Sequence, residues 1–304
     1  MAFKSGFVSI IGRPNAGKST LLNALVGEKI AIVTHKPQTT RHRIQGYVNV
    51  KGGSGRPPGQ VVFIDTPGVH KPDSRLGSRM MHEVRDALEE RDLVLLIVDA
   101  TQAFGKGDQF VLDLLKQVRS PVILLLNKID SIEKPELLKI IERYSKLRDF
   151  AEIIPISATK RQGLDDIIGA VIQRLPDGPR YFEKDQITDQ PERVLVAELI
   201  RERVLVETGQ EVPYAAAVKV EQFESGAKLT RIAAAIYCER EGQKAILIGK
   251  GGAMLKRIGT SARKQIERLL GTKVFLELFV KVRENWRSSE AALDELDWRK
   301  QMGD

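Results

Sequence analysis

Four short stretches in the first half of the chain carry residue types suited to holding a phosphorylated nucleotide. Gly12-Arg13-Pro14-Asn15-Ala16-Gly17-Lys18-Ser19, followed by Thr20, fits the spacing G-x-x-x-x-G-K-[ST]. In that pattern glycines let backbone N–H groups wrap a β-phosphate and a helix start adds partial positive charge. Lys18 then reaches the β- and γ-phosphates, and the Ser19 hydroxyl belongs on Mg²⁺. Asp65-Thr66-Pro67-Gly68 ends an apolar run, where an aspartate can hold Mg²⁺ through water and the Gly68 N–H can face a γ-phosphate. Asn127-Lys128-Ile129-Asp130 follows another apolar run. The Asp130 carboxylate can accept from guanine N1–H and N2–H₂ together, a donor pair that adenine lacks; Lys128 would lie along the base plane, and Asn127 would brace the loop or reach N7. Ser157-Ala158 closes a further run and offers a backbone N–H to guanine O6. Each fragment alone also fits an ordinary strand-end turn. Together, in this order and each at a strand end, they specify a guanine nucleotide.

The second half holds one comparable feature. Ile248-Gly249-Lys250-Gly251-Gly252 joins a short helical pattern to a longer one, and a GxxG loop between helices lets a nucleic-acid backbone approach closely. Between Lys244 and Arg268 there are seven basic residues (Lys244, Lys250, Lys256, Arg257, Arg263, Lys264, Arg268) against the single acid Glu267. Ile246, Ile248, Leu255 and Ile258 are spaced to pack or to floor a groove for bases. The plainer alternative is a solvated basic helix.

Strand-length apolar runs at 7–11, 61–64, 93–98, 122–126 and 152–156 alternate with helical patterns, and near-continuous Val/Ile/Leu marks strands buried on both faces of a mostly parallel sheet. Residues 47–51 and 60–64 flank the turn-rich stretch 52–59, which predicts a hairpin and one antiparallel edge strand. Pro176-Asp177-Gly178-Pro179 stops the last helix, so the expected division is 1–175, a linker at 176–190, and a second domain at 191–304. There the expected order is a helix at 192–207, extended segments at 214–223 and 229–239, helices at 243–248 and 253–270, a strand at 273–282, and a short acidic helix at 288–298.

The guanine-nucleotide motifs resemble the translation-factor-related class of small GTPases. That class expects a Mg²⁺-binding threonine between Ser19 and Asp65, for which Thr39 and Thr40 are both candidates. Where regulatory GTPases place a water-orienting glutamine after DxxG, this chain has Val69 and then His70, so that mechanism is closed to it. Members with a hydrophobic residue there often use a potassium ion held partly by the P-loop asparagine, which is Asn15 here; the alternative is that Asn15 only braces its loop. Asn15, Lys18, Thr39, Thr40 and Gly68 form the expected hydrolytic set. The second half resembles a type II KH domain, so the fold class is an α/β P-loop GTPase domain followed by an α+β KH domain. Joined to the stretches 36–42 and 65–70, the whole chain resembles the bacterial Era-like GTPase family. That resemblance implies GTP/GDP and Mg²⁺ as ligands, slow intrinsic turnover, and binding near the 3′ end of 16S rRNA during small ribosomal subunit maturation. It also implies a cytoplasmic monomer with a fraction peripherally associated with the membrane.

Composition fits these expectations and excludes others. Of 304 residues, 42% are hydrophobic, enough for packed cores, and a net charge of +8 favours polyanionic partners. One cysteine, Cys238, excludes a disulfide framework and multi-cysteine metal sites. Two rival readings follow from the same residues: a tRNA-modification or metabolic GTPase with a scaffolding second domain, and a module whose basic helix meets an anionic membrane.

Overall fold

The computed structural model describes residues 2–36, 38–53, 55–89, 91–209 and 212–297. Trp298, the expected end of the acidic helix, lies outside them. The chain divides into two compact units. The first runs to Ala31 and adds Thr40–Lys71 and Arg79–Asp189; the second takes Ile32–Thr39, Pro72–Ser78 and the residues from Gln190 onward.

In chain order the first half forms β1 (Lys4–Ile11), α1 (Lys18–Val26), β2 (Ile44–Val50), β3 (Gly59–Asp65), α2 (Arg75–Leu88), β4 (Leu93–Asp99), α3 (Lys106–Leu115), β5 (Val122–Asn127), α4 (Lys134–Ser145), β6 (Glu152–Pro155) and α5 (Leu164–Arg174). The strands make a six-stranded sheet in the order β2-β3-β1-β4-β5-β6. All neighbours are parallel except β2, which pairs antiparallel with β3 at the edge, as the turn-rich stretch predicts. Successive residues of β4 alternate between two cores: Leu93, Leu95 and Ile97 pack with α1 and α5, while Val94, Leu96 and Val98 pack with α3 and Tyr144 of α4. Burial on both faces is why these strands read as unbroken aliphatic runs.

Residues 176–189, expected as a linker, contain no helix or named strand and yet belong to the first unit. The buried Gln60 side chain accepts the N–H groups of Tyr181 and Phe182 (2.9 and 3.0 Å) and donates to the Phe182 carbonyl at 3.0 Å. The Phe182 ring stacks on Tyr47 with centroids 3.8 Å apart, and the Tyr47 N–H reaches the Ile187 carbonyl at 2.9 Å. A buried glutamine and two aromatics convert a break in periodicity into a strap. In the turn-rich region Gly53 and Arg56 exchange backbone hydrogen bonds of 3.0 and 2.9 Å.

The second half forms α6 (Glu192–Glu207), α7 (Val212–Ala215), β7 (Ala217–Glu224), β8 (Leu229–Cys238), α8 (Glu241–Ile248), α9 (Ala253–Leu270), β9 (Lys273–Val282) and α10 (Glu290–Leu296). The sheet order is β7-β8-β9, with β8 antiparallel to β7 and parallel to β9. Its core joins Val196, Ile200 and Val204 of α6, Ile232, Ala234 and Ile236 of β8, and Ile258, Ala262 and Ile266 of α9. The last three recur every four residues, as one face of a helix requires. Cys238 lies in this core, and burial pushes its thiol above the usual value. Trp286 is buried and donates its indole N–H to the Ala215 carbonyl at 2.8 Å. Among the described residues no helix is long and apolar enough to cross a membrane. Trp286→Ala removes both the ring and that hydrogen bond, and is expected to cost about 3–5 kcal/mol, measured as a lower urea midpoint for the second unit.

Candidate functional site

The register of β1 against β3 sets Ile10 beside Asp65, so the strand that leads into Gly12–Ser19 ends next to the strand that ends in Asp65. Gly17 opens α1 at φ 104°, a left-handed conformation, and a Cβ there would meet the Asn127 Nδ2 at 2.2 Å. Glycine is the residue that fits. No side chain caps α1 and its first turn holds no acid, so its leading N–H groups stay open to an anion.

Three oxygens converge beside that helix start. Ser19 Oγ donates to Asp65 Oδ2 at 2.6 Å and lies 2.8 Å from Thr40 Oγ1, which itself reaches Asp65 Oδ2 at 3.4 Å. Asp65 is 0% exposed and its Oδ1 has no hydrogen-bond partner. Burial raises its pKa to about 6, against the opposing pull of the Lys18 charge and the Ser19 and Thr40 hydroxyls. Two hydroxyls and an unpartnered carboxylate oxygen are hard donors of the kind Mg²⁺ takes. Lys18 is buried, donates to the carbonyls of Gly12 (3.1 Å) and Arg13 (3.0 Å), and is pushed down to about 8 by burial, with Asp65 opposing.

Of the two candidate threonines, only Thr40 reaches this cluster. The Thr39 hydroxyl bonds to Thr34 Oγ1 at 2.7 Å and the Lys36 carbonyl at 2.6 Å, which turns it away. The Arg13 guanidinium pairs with Asp108 at 2.8 Å, so Arg13 takes part in the loop through its backbone. Asn15 is exposed, with φ 63°, and Thr20 is half-buried on α1. Val69 is 2% exposed, and its N–H donates to the Gly12 carbonyl at 3.0 Å, which ties the segment after Gly68 to the phosphate loop.

At the base-reading end Asn127 proves to be a brace. Its Nδ2 donates to the Ala16 carbonyl at 2.8 Å and its Oδ1 accepts the Ala158 N–H at 3.0 Å. The Ser157 N–H is engaged too, by the Gln162 carbonyl at 3.2 Å, so the one backbone N–H expected of this pair for guanine O6 already has a protein partner at either residue. Asp130 is exposed, and a hydrogen bond from the Ser157 side chain holds its pKa below the ordinary value. Lys128 reaches Asp99 at 2.6 Å. Asp99 was not singled out from sequence, although an acid ending the β4 run was the available signal.

In the second unit Gly249, Lys250, Gly251 and Gly252 connect α8 to α9. Gly251 has φ 58°, and a Cβ built on it meets nothing within 4 Å. The N-terminus of α9 has neither a side-chain cap nor an acid in its first turn. Ile246 is exposed, and Ile248 and Leu255 are half-buried. The predicted basic residues divide along α9. Lys256 and Arg263, seven apart, share one exposed line, whereas Arg257 and Lys264 share the next. Arg257 pairs with Glu207 of α6 at 2.6 Å, and Lys244 lies 3.7 Å from Glu241. The helical spacing therefore breaks the expected single patch into two flanks, one of them turned toward α6.

Two family models match the chain: one described as a 50S ribosome-binding GTPase over residues 7–128, the other as a KH domain over residues 211–287. GTPase Era of Ruminiclostridium cellulolyticum is 50% identical over 300 residues, covering 98% of this chain and 99% of its own. GTPase Era of Lactobacillus helveticus is 52% identical over 301 residues, covering 98% and 97%. Among solved structures, an Era in complex with MgGDPNP and nucleotides 1506–1542 of 16S ribosomal RNA superposes with a TM-score of 0.92 at 38% identity, covering 97% of this chain and 98% of that one. An Aquifex aeolicus Era variant bound to GDP·AlF₄⁻ gives 0.90 at 38% identity, covering 97% and 99%.

The Lys18 ammonium carries a test of the site in the nucleotide-free protein. Because Lys18 holds its proton more weakly folded than unfolded, its contribution to stability rises with pH between about 8 and 10.5. Lys18→Met has no proton to lose, so the stability of the wild type relative to this variant is expected to rise as the pH climbs from 8 to 10. Parallel melting curves with a constant gap across that range would contradict the assignment.

Proposed function

The chain belongs to the GTPase Era family, and from that premise we propose that it is a GTP-hydrolysing switch that grips single-stranded RNA near the 3′ end of 16S ribosomal RNA and assists maturation of the small ribosomal subunit. One observation carries the reading: the same chain holds an oxygen-lined Ser19–Thr40–Asp65 cluster beside the open start of α1 and a GxxG loop at the open start of α9. A relative matched over nearly the whole chain was crystallised with both kinds of ligand.

The backbone of residues 12–20 cradles the phosphates, and Lys18 adds its ammonium. Ser19, Thr40 and Asp65 would hold Mg²⁺, which would supply charge neutralisation at the phosphate oxygens. Gly68 offers its N–H to the γ-phosphate, and Asp130 reads guanine while Asn127 and Lys128 hold its loop. No side chain at Val69 can orient water, so hydrolysis rests on positioning and charge and is slow; Asn15 would hold in part a potassium ion, which would add to that charge. On the RNA side, Gly249–Gly252 with Lys250 take the backbone, Lys256 and Arg263 line the near flank, and Lys244 and Ile248 border the loop. Arg257 and Lys264 lie on the flank beside α6 and add positive charge on the RNA side. The protein works in the cytoplasm as a monomer.

Asp130→Asn removes the two charge-assisted bonds to guanine and is expected to weaken GTP binding on the order of 100-fold while favouring the xanthine nucleotide. A competition titration reads this, and an unchanged preference for GTP argues against the assignment. The reading as a whole is tested by titrating the full-length protein with a short RNA matching the 16S 3′ end, in a non-hydrolysable GTP analogue and in GDP. Tighter binding in the analogue, absent for a scrambled RNA, is expected. Gly251→Asp, at a position with open space around it, is expected to lose that RNA and keep its nucleotide. Binding indifferent to sequence and nucleotide would reduce the second unit to a scaffold.

A further inference from the structure

We propose that Arg201 and Glu202 of α6 clamp the backbone at Val33, Gln38 and Thr39 and, through the peptide bond to Thr40, tie the RNA grip of the second unit to the nucleotide state of the first. The inference rests on the switch function proposed above and supplies its coupling element.

Both side chains are 2% exposed, in a helix whose neighbours pack an aliphatic core. Buried charges rarely improve stability over apolar residues of similar size, so their partners are what needs explaining. Arg201 donates from Nε and Nη2 to Glu198 (2.8 and 2.6 Å), from Nη1 to the Gln38 carbonyl at 3.4 Å, and from Nη2 to the Thr39 carbonyl. Glu202 accepts the Val33 N–H at 3.0 Å and the Arg203 guanidinium at 3.2 Å. The segment between is knitted to itself, because Thr34 Oγ1 accepts the Lys36 N–H at 3.0 Å and bonds the Thr39 hydroxyl. These residues count with the second unit.

Their two ends do not. Asn23 of α1 accepts the N–H groups of Ile30 and Ala31, both at 2.9 Å, and donates to the Ala31 carbonyl at 2.8 Å. Thr40 sits on Ser19 and Asp65. Ala31 and Thr40, the chain neighbours of that segment, count with the nucleotide-binding unit. When Thr40 moves on nucleotide exchange, two outcomes are open. Either α6 follows, or Arg201 and Glu202 stay buried without the backbone groups that satisfy them, which is costly for charged groups. From α6 the path to the RNA loop is short, since Glu207 pairs with Arg257 in the second turn of α9.

The test uses full-length protein and the 16S-end RNA. In the wild type the ratio of RNA affinities between GTP analogue and GDP is expected to be on the order of tenfold, a usual size for coupling between sites. Arg201→Gln is expected to bring that ratio close to one while RNA binding and GDP binding persist, and Arg201→Lys, which keeps a donor for the Thr39 carbonyl, is expected to restore part of it. A folded Arg201→Gln protein that keeps the wild-type ratio overturns the proposal. Hydrogen exchange on the wild type decides the matter even where that variant does not fold. Protection of the Val33 amide and of α6 that differs between the two nucleotide states supports the clamp, and identical protection overturns it. A wild-type RNA affinity indifferent to nucleotide defeats the switch reading instead, and the exchange result still decides whether residues 33–39 and α6 respond together.

Discussion

The hydrogen bond from Ser19 to Asp65, with Thr40 within reach of both, joins segments that lie 46 and 25 residues apart in sequence. A carboxylate held out of water with one oxygen unpartnered is an expensive thing to fold around, and only a rigid frame keeps it in place. The parallel pairing of β1 with β3 supplies the frame, because both strands deliver their loops at the same edge of the sheet. The brace from Asn127 to Ala16 and Ala158 then locks the phosphate loop to the two later strand ends. The nucleotide site is thus a property of strand register before it is a property of any one loop.

The two units solve the problem of holding a polyanion in the same way. Each presents a helix whose first turn has neither side-chain cap nor acid, preceded by a glycine-containing loop that leaves N–H groups exposed. Capping those helices would stabilise the fold by about 1 kcal/mol each, so the open ends are a sacrifice of stability made at the places where phosphates arrive. By contrast α3, α4, α5, α6, α8 and α10 each carry an acid in the first turn, and at α10 Ser289 also accepts the Ala292 N–H.

Much of this was legible from residue order. Aliphatic runs bounded by glycine, aspartate or asparagine located the central strands, since burial on both faces leaves no room for polar residues. The phosphate loop, Asp65 and the helix-GxxG-helix order stood out because glycine and charge are costly anywhere but at such sites. What escaped depended on distance in three dimensions. Thr39 and Thr40 are adjacent and chemically identical, and only the hydrogen bonds around them separate a residue tied to Thr34 from one at Asp65. The Ala158 N–H looked free because its partner, Asn127, stands 31 residues earlier. The pairing of Arg13 with Asp108 of α3, 95 residues later, is likewise invisible in residue order. The basic stretch read as one patch because seven charges in a line of letters do not show which side of a helix each occupies.

The strap of residues 176–189 has a consequence for how such a protein is assembled over evolutionary time. Gln60, Tyr47 and the backbone of β1 and β2 are completed by residues that lie beyond the last helix of the nucleotide-binding unit. A recombination event that spliced a new partner in at residue 175 would leave a buried glutamine without its bonds and an aromatic face open to water. The self-contained module is therefore the sheet together with its strap, which runs to Asp189.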